Sequence, residues 1–337
     1  MGEKMRAVTM ADVALHAGVS KSTVSQYLNH RYDYMGEQTK ERVAAAIQEL
    51  GYKPNMLARS LKRKNSTTIG VIVANISHEF STQIIQSIEK YCNELDYHII
   101  VCNAEDDPVK EKKYIEMLKA KQVDGIAIFP TSTNVEIYKV LKEESYPMIF
   151  IDRDVVDAGI SSVMLNNQKA SQLAVEEFIQ NGYSRMGIIT TSTINNVTPR
   201  VERMEGFRKA MKVAGLPVDE QLIRGVEINQ IQSELHRMMH LEEPPDALLA
   251  GNDLALIEIL KYVKANQLNI PKDLAVIGID DVSFASFYNP ELSTIVQPTQ
   301  DMGRQAAKLV IDQIVEQKLP EESIYRFEPT LKRRQSY

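Results

Sequence analysis

The sequence predicts a small all-α head followed by an α/β core of two lobes, each built on a doubly wound parallel sheet. Three observations carry that prediction. The opening stretch holds short helical patterns with cap and turn residues between them. From Thr67 onward, short apolar runs alternate with amphipathic stretches, an alternation that demands a parallel sheet covered by helices on both faces. Charge divides at the same place: residues 1–65 carry 11 Lys and Arg against 6 Asp and Glu, whereas the rest carry 28 against 39.

The bulk numbers bound the answer. A chain of 337 residues suggests two or three domains, and 44% hydrophobic with 25% charged residues describes an ordinary globular protein. No apolar run approaches the roughly 20 residues that cross a bilayer, and residues 1–30 lack the apolar core of a signal peptide. The two cysteines, Cys92 and Cys102, have no metal-ligand spacing and read as small buried hydrophobes. A cytoplasmic protein without membrane contact is expected.

In the head, Met10, Val13, Ala14 and Ala17 recur at i, i+3, i+4 and i+7, one apolar helix face. Gly18 supplies a turn that needs a left-handed backbone, and Ser20 is placed to cap the next helix. In that second helix Val24, Tyr27 and Leu28 face inward, leaving Lys21, Ser22, Ser25 and Gln26 exposed. The layout is a helix-turn-helix whose polar second helix is sized for a DNA major groove. A basic head on an acidic body fits that reading. The polar stretch Asn29 to Gly36, with His30, Arg31, Tyr32 and Tyr34, suits either a solvated loop or phosphate contact. A third helix is expected from Thr39, with Val43, Ala46, Ile47 and Leu50 on one face and Gly51 as its stop.

Pro54 then breaks the pattern, and Asn55 can cap a new helix of about two turns through Lys64, too short to hold alone in water. It reads either as a basic linker or as a hinge that orders on DNA, with Leu57 or Leu61 as a minor-groove wedge.

The run Val8-Thr9-Met10-Ala11-Asp12-Val13-Ala14, Ala17-Gly18-Val19-Ser20-Lys21-Ser22-Thr23-Val24-Ser25, then Gly51-Tyr52-Lys53-Pro54-Asn55 and Ala58-Arg59-Ser60-Leu61, closely resembles the lactose-repressor (LacI) family of bacterial transcription regulators. The resemblance implies that the second helix reads the major groove and that Leu61 pries open the central step of a palindromic operator. The DNA-contacting residues expected on this basis are Thr9, Lys21, Ser22, Thr23, Ser25, Gln26, Asn29, His30, Asn55, Ala58, Arg59, Leu61 and Lys62. Gln26 departs from the arginine of the family pattern; glutamine pairs well with adenine where arginine prefers guanine.

The core begins with the buried run Ile69–Ala74, followed by a helix with Ile84, Ile85, Ile88, Cys92 and Leu95 on one face. Strands Ile99–Val101, Asp124–Phe129 and Pro147–Asp152 continue the first series, with a charged helix through Ile115 and Leu118. A second series starts near Asn166, with strands Met186–Ile189, Ala247–Ala250 and Leu274–Gly278 and a helix carrying Leu256, Ile257, Leu260 and Val263. The family resemblance implies that the last helix, Met302 to Val315, returns to the first sheet. Two such lobes imply a cleft at the carboxyl ends of the strands.

Polar residues sit at those ends. Asp152 closes one strand, Asn252-Asp253 follow another, Asp280-Asp281 a third, and Arg203 opens Arg203-Met204-Glu205-Gly206-Phe207 on a helix after the sixth strand. Any one alone is more often a cap or turn residue; their convergence favours a polar ligand. The resemblance assigns effector contact to Arg203, Asn252 and Asp280, with Asp152 and Phe80 as pocket walls. Ser81 stands where the family pattern has a second aromatic. Arg200, one turn before Arg203, is a second candidate for an acidic sugar.

No constellation for catalysis is present: no phosphate-loop lysine, no Gly-x-Gly-x-x-Gly, no nucleophile elbow. His236 and His240 share a helix face but lack the glutamate of a metalloprotease and read as a solvated face. No metal or resident cofactor is expected.

The predicted architecture is thus a helix-turn-helix head (1–53), a hinge helix and linker (54–65), and a two-lobed core like that of periplasmic binding proteins. Its N-terminal lobe comprises 66–166 and 297–326, its C-terminal lobe 167–296 and 327–337. The function expected is a dimeric repressor binding double-stranded palindromic operator DNA, its affinity changed by a small sugar or sugar acid between the lobes. Such a protein would be associated with the nucleoid. A transport solute-binding protein shares the core but has an export signal or lipid anchor in place of the head. The C-terminus lacks leucine heptads, so no four-chain coiled-coil assembly is expected. Tyr32–Met35 and Cys102–Pro108 most resemble repressors of pectin-breakdown genes that respond to 2-keto-3-deoxygluconate.

Overall fold

A computed structural model describes residues 8–28, 31–32, 35–52, 66–131, 133–194 and 197–337. They divide into two compact units, with the boundary between Ser66 and Thr67.

The first unit holds α1 (Met10–Ala17), α2 (Lys21–Leu28) and α3 (Glu37–Glu49). Thr9 caps α1 in a capping box with Asp12: each residue's side chain bonds the other's backbone N–H. Gly18 ends α1 at φ 63°, the left-handed conformation that a Cβ would strain. Ser20 Oγ then accepts the Thr23 N–H at 3.1 Å and starts α2. Val13, Ala14, Ala17, Val24, Val43, Ala46 and Tyr52 form the core. Helix α3 begins two residues before the expected Thr39, because Gly36 takes an extended backbone and Glu37 already enters the first turn.

The second unit contains two six-stranded sheets. The first joins β1 (Thr68–Val73), β2 (His98–Asn103), β3 (Gly125–Ile128), β4 (Met148–Ile151), β5 (Ser162–Leu165) and β11 (Ile324–Phe327), in the order β11-β5-β4-β3-β1-β2. Helices α4 (Glu79–Glu94), α5 (Pro108–Ala120) and α6 (Val135–Glu143) alternate with its strands. The second joins β6 (Met186–Thr191), β7 (Ile223–Val226), β8 (Ala247–Ala250), β9 (Ala275–Ile279), β10 (Ser293–Val296) and β12 (Thr330–Lys332), in the order β12-β10-β9-β8-β6-β7. Its helices are α7 (Asn167–Gln180), α8 (Thr198–Val213), α9 (Ile231–Met239) and α10 (Asp253–Ala265). Every pairing is parallel except β10 with β12, an antiparallel edge. Helix α11 (Thr299–Glu316) returns to the first sheet, packing on α4, β3 and β4.

The chain therefore crosses between lobes three times: between β5 and α7, between β10 and α11, and between β11 and β12. Phe327 still pairs with Leu165, so the last crossing lies beyond it. Two expected core residues sit elsewhere. Leu95 is 45% exposed as the C-cap of α4, where the helical period ends. On α10 the buried face is Leu256, Ile259, Leu260 and Val263, with Ile257 only partly covered.

Candidate functional site

On α2, Lys21, Ser22 and Gln26 are exposed and Thr23 and Ser25 half-buried, while Val24 is fully buried. Five polar side chains thus stand on the side of α2 away from the core. Thr9 serves first as the α1 cap, its hydroxyl 2.6 Å from Asp12 Oδ2. Asn29, His30, Asn55, Ala58, Arg59, Leu61 and Lys62, with the expected hinge, lie outside the described residues.

In the second unit, two adjoining cavities open between the lobes. The inner one, about 40 Å³, is lined by Phe80, Asp152, Arg200, Arg203, Asn252 and Asp280, all six residues singled out from sequence. The outer one, about 270 Å³, shares His78, Arg153 and Arg200 with it and adds Asp106, Asp154 and Thr198. The inner space holds only a few waters. A sugar ring that touches all six side chains therefore has to part the lobes.

Local geometry explains how each side chain arrives. Gly206 lets α8 pack directly on α7: a Cβ there would lie 2.6 Å from Gln168 Cα, and backbone cannot yield. That close approach brings Arg203, one turn earlier and 4% exposed, to Asn167 Oδ1 at 2.8 Å and Gly251 O at 2.7 Å. Neither partner is charged. The charge of Arg203 is instead felt by two buried acids, Asp152 and Asp280. Asn252 caps α10 by accepting the Ala255 N–H at 2.8 Å and donates to Thr191 Oγ1 at 2.7 Å. It is both a helix cap and a pocket wall. Phe80 packs edge-on to Phe129 at 6.1 Å. Ser81, in place of an aromatic, is 3% exposed and lines the inner cavity.

Asp106, Asp152 and Asp280 take left-handed backbone conformations, with φ of 55°, 67° and 88°. Such strain is rare for residues other than glycine and gathers where a fold aims a side chain. Burial, then the neighbouring charge of Asp253, pushes Asp280 up to about 6. Gln297, at a lobe crossing, donates to its Oδ1 at 2.6 Å. Burial also raises Asp152, with Arg203 and Arg153 opposing. Arg200 is brought down to about 10, by burial first and then by the charge of Arg153.

Several residues of the site escaped the sequence reading. His78 of the first lobe meets Asp253 of the second, Arg153 meets Asp106, and Thr198 bonds the backbone of Asp154. The sequence reading already places Asp253 beside Asn252 at its strand end; Arg153 directly follows Asp152, which is the one available signal for it. The expectation for the histidine pair also gains geometry: the His236 and His240 rings stand 4.0 Å apart, and His240 Nδ1 lies 2.8 Å from the His236 carbonyl oxygen. Among the described residues no three metal-ligand side chains come together, and no helix is long and apolar enough to cross a membrane.

A helix-turn-helix head and a polar cleft between two doubly wound lobes define a ligand-responsive DNA-binding regulator. Residues 9–55 match the bacterial regulatory proteins of the lacI family, and residues 66–329 match the periplasmic binding proteins and sugar binding domain of the LacI family. The chain is 42% identical over 332 residues to the probable HTH-type transcriptional regulator EndR of Paenibacillus polymyxa, covering 97% of this chain and 98% of that one. It is 33% identical over 313 residues to the HTH-type transcriptional regulator KdgR of Bacillus subtilis, covering 91% of each. A solved lac repressor dimer, bound to operator and the anti-inducer ONPF, shares the fold with a TM-score of 0.84 at 23% identity, over 98% of this chain and 99% of that one. The chain belongs to the LacI family and is a DNA-binding transcription regulator, not an enzyme.

Proposed function

We propose that the protein is a homodimeric repressor of sugar-utilisation genes that works in the cytoplasm, on the nucleoid. It binds a palindromic operator through two heads and releases it when a small sugar or sugar acid enters the cleft. The observation that carries this reading is the convergence of Asp152, Arg203, Asn252 and Asp280, drawn from both lobes, on one buried polar space. Hydroxyls suit the two acids and the amide, and a forked guanidinium suits a hydroxyl or carboxylate. Similarity to KdgR, with the Cys102–Pro108 resemblance, makes 2-keto-3-deoxygluconate the first effector to try.

Occupancy of the cleft acts by differential affinity. An effector that prefers one lobe arrangement shifts the population, and a few kcal/mol of preference suffices to weaken operator binding strongly. Leu61 serves in this reading as the hinge wedge. Duplexes enriched from a randomised pool would supply the operator, and fluorescence anisotropy would then measure affinity with and without sugars. Sequence-specific binding weakened by one sugar is the expected result; equal affinity for enriched and scrambled duplexes would refute the proposal.

A further inference from the structure

Asp106, in the short loop between β2 and α5, extends its carboxylate to two arginines. Arg153 Nη1 donates to Oδ1 at 2.6 Å, and Arg200 Nη2 lies 3.7 Å from Oδ2. Arg153 follows β4 in the first lobe, whereas Arg200 is on α8 in the second. One carboxylate therefore joins two cations across the mouth of the cleft.

The two arginine side chains are 8% and 12% exposed, against 37% for Asp106. The cations are built in and the anion is the accessible partner. Arg153 keeps donor capacity unused: its Nε is buried without a hydrogen bond, 3.9 Å from the nearest Asp152 oxygen. Arg200 has its Nη1 taken by the Ser192 carbonyl at 2.7 Å, leaving Nη2 for the longer contact with Asp106. Asp106 reaches this position only through consecutive left-handed residues, Glu105 at φ 56° and Asp106 at φ 55°. Its backbone N–H is tied to the Ala74 carbonyl at 2.7 Å. Both arginines and Asp106 line the outer cavity, which has room beside them for a further group.

We propose that Arg153 and Arg200 form the seat for the carboxylate of an acidic sugar, and that Asp106 holds that seat as an internal stand-in until the ligand displaces it. This deepens, and rests on, the reading of the cleft as an effector site. A ligand carboxylate would take the accessible side of the pair, accept from Arg153 Nη1 and Arg200 Nη2 in place of Asp106, and release the link that Asp106 makes between lobes. A neutral sugar gains none of these charge-assisted bonds. The residue that selects acid over neutral sugar is then Arg153, which the Arg203 motif does not include.

The test is isothermal titration calorimetry on the full chain with matched pairs that differ in one group: galacturonate with galactose, glucuronate with glucose, and 2-keto-3-deoxygluconate with its neutral C1 carboxamide. At least one acid should bind about tenfold more tightly than its neutral twin, the preference expected of a charge-assisted pair. This wild-type ratio needs no variant. Arg153→Gln should erase the preference, and Asp106→Asn should widen it by a further severalfold by removing the internal competitor. A preference untouched by Arg153→Gln, a neutral twin that binds as well as its acid, or an Asp106→Asn change that weakens acid and neutral sugar alike would overturn the seat while leaving a sugar site. Absence of binding by every pair would overturn the seat and the effector reading together.

Discussion

His78 Nδ1 stands 2.5 Å from Asp253 Oδ1, joining the loop before α4 in one lobe to the first turn of α10 in the other. The second Asp253 oxygen accepts the Glu79 N–H at 2.9 Å, and the Glu79 carboxylate in turn accepts the Ser283 N–H at 3.0 Å. The two side chains of the pair are 14% and 3% exposed. This is a clasp between lobes rather than a surface ion pair, so its loss should matter more than the fraction of a kcal/mol typical of exposed pairs.

His78→Ala leaves the buried Asp253 carboxylate without its ring partner. Burial tends to raise Asp253, but the hydrogen bond and charge of His78 outweigh it and hold the group below the usual carboxylate range. The substitution should lower stability by about 2–3 kcal/mol, read by urea unfolding of the full chain. It should also change effector affinity, since the clasp biases the lobe arrangement. Unchanged unfolding and unchanged affinity would remove the clasp from the account.

Asp280 and Asp253 respond oppositely to pH. A lowered carboxylate such as Asp253 stabilises the fold above its unfolded pKa, and that contribution is lost as pH falls through its folded value. Asp280, raised to about 6, binds more protons folded than unfolded between about 4 and 6. Its contribution therefore declines as pH rises through that window. Asp280→Asn should raise stability at pH 7.5 by roughly 1–2 kcal/mol, with the gain shrinking towards pH 5. The same variant should lose effector binding, the usual exchange of stability for function at a strained site. Thermal unfolding at the two pH values checks the sign; a larger gain at pH 5 would contradict it.

Arg203 carries structure as well as its proposed role in recognition, which the sequence motif alone does not reveal. Arg203→Ala would deprive Asp152 and Asp280 of the buried positive charge that both feel, costing on the order of 3 kcal/mol. Arg203→Lys keeps the charge but cannot serve Asn167 and Gly251 in a fork. The lysine variant should fold, bind operator normally and respond weakly to effector. An undiminished response, measured by anisotropy, would take Arg203 out of the ligand's reach.

Gln26 sits exposed near the end of α2. Gln26→Arg should move base preference at one operator position from adenine to guanine, by about 1–3 kcal/mol. Competition between duplexes differing at single positions would show the shift; a uniform change across all sequences would mean that residue 26 touches phosphate.

The local parts of this molecule were legible in its sequence. Thr9, Gly18 and Ser20 act within four residues of themselves, so the head could be read from caps and turns. Strands β1, β3, β4, β6, β8 and β9 are apolar runs buried on both faces, which periodicity finds. Strands β5, β7 and β11 are short and carry Ser162, Arg224 or Arg326, so nothing but their pairing marks them. The site divides in the same way. Arg203, Asn252 and Asp280 stand at strand ends or in a motif, whereas His78 and Asp253 lie 175 positions apart and Asp106 and Arg153 lie 47 apart. Contacts at that separation depend on the fold as a whole, and no local pattern announces them.

The central claim is that cleft and head share one free energy. Thermodynamic linkage requires that an effector which weakens operator binding by some factor has its own affinity weakened by the same factor when operator is present. Operator Kd would be measured by anisotropy across a series of effector concentrations, and effector Kd by calorimetry with and without saturating operator duplex. Two equal factors, both greater than one, are expected. An effector that binds the cleft with the same affinity whether or not operator is bound would contradict it.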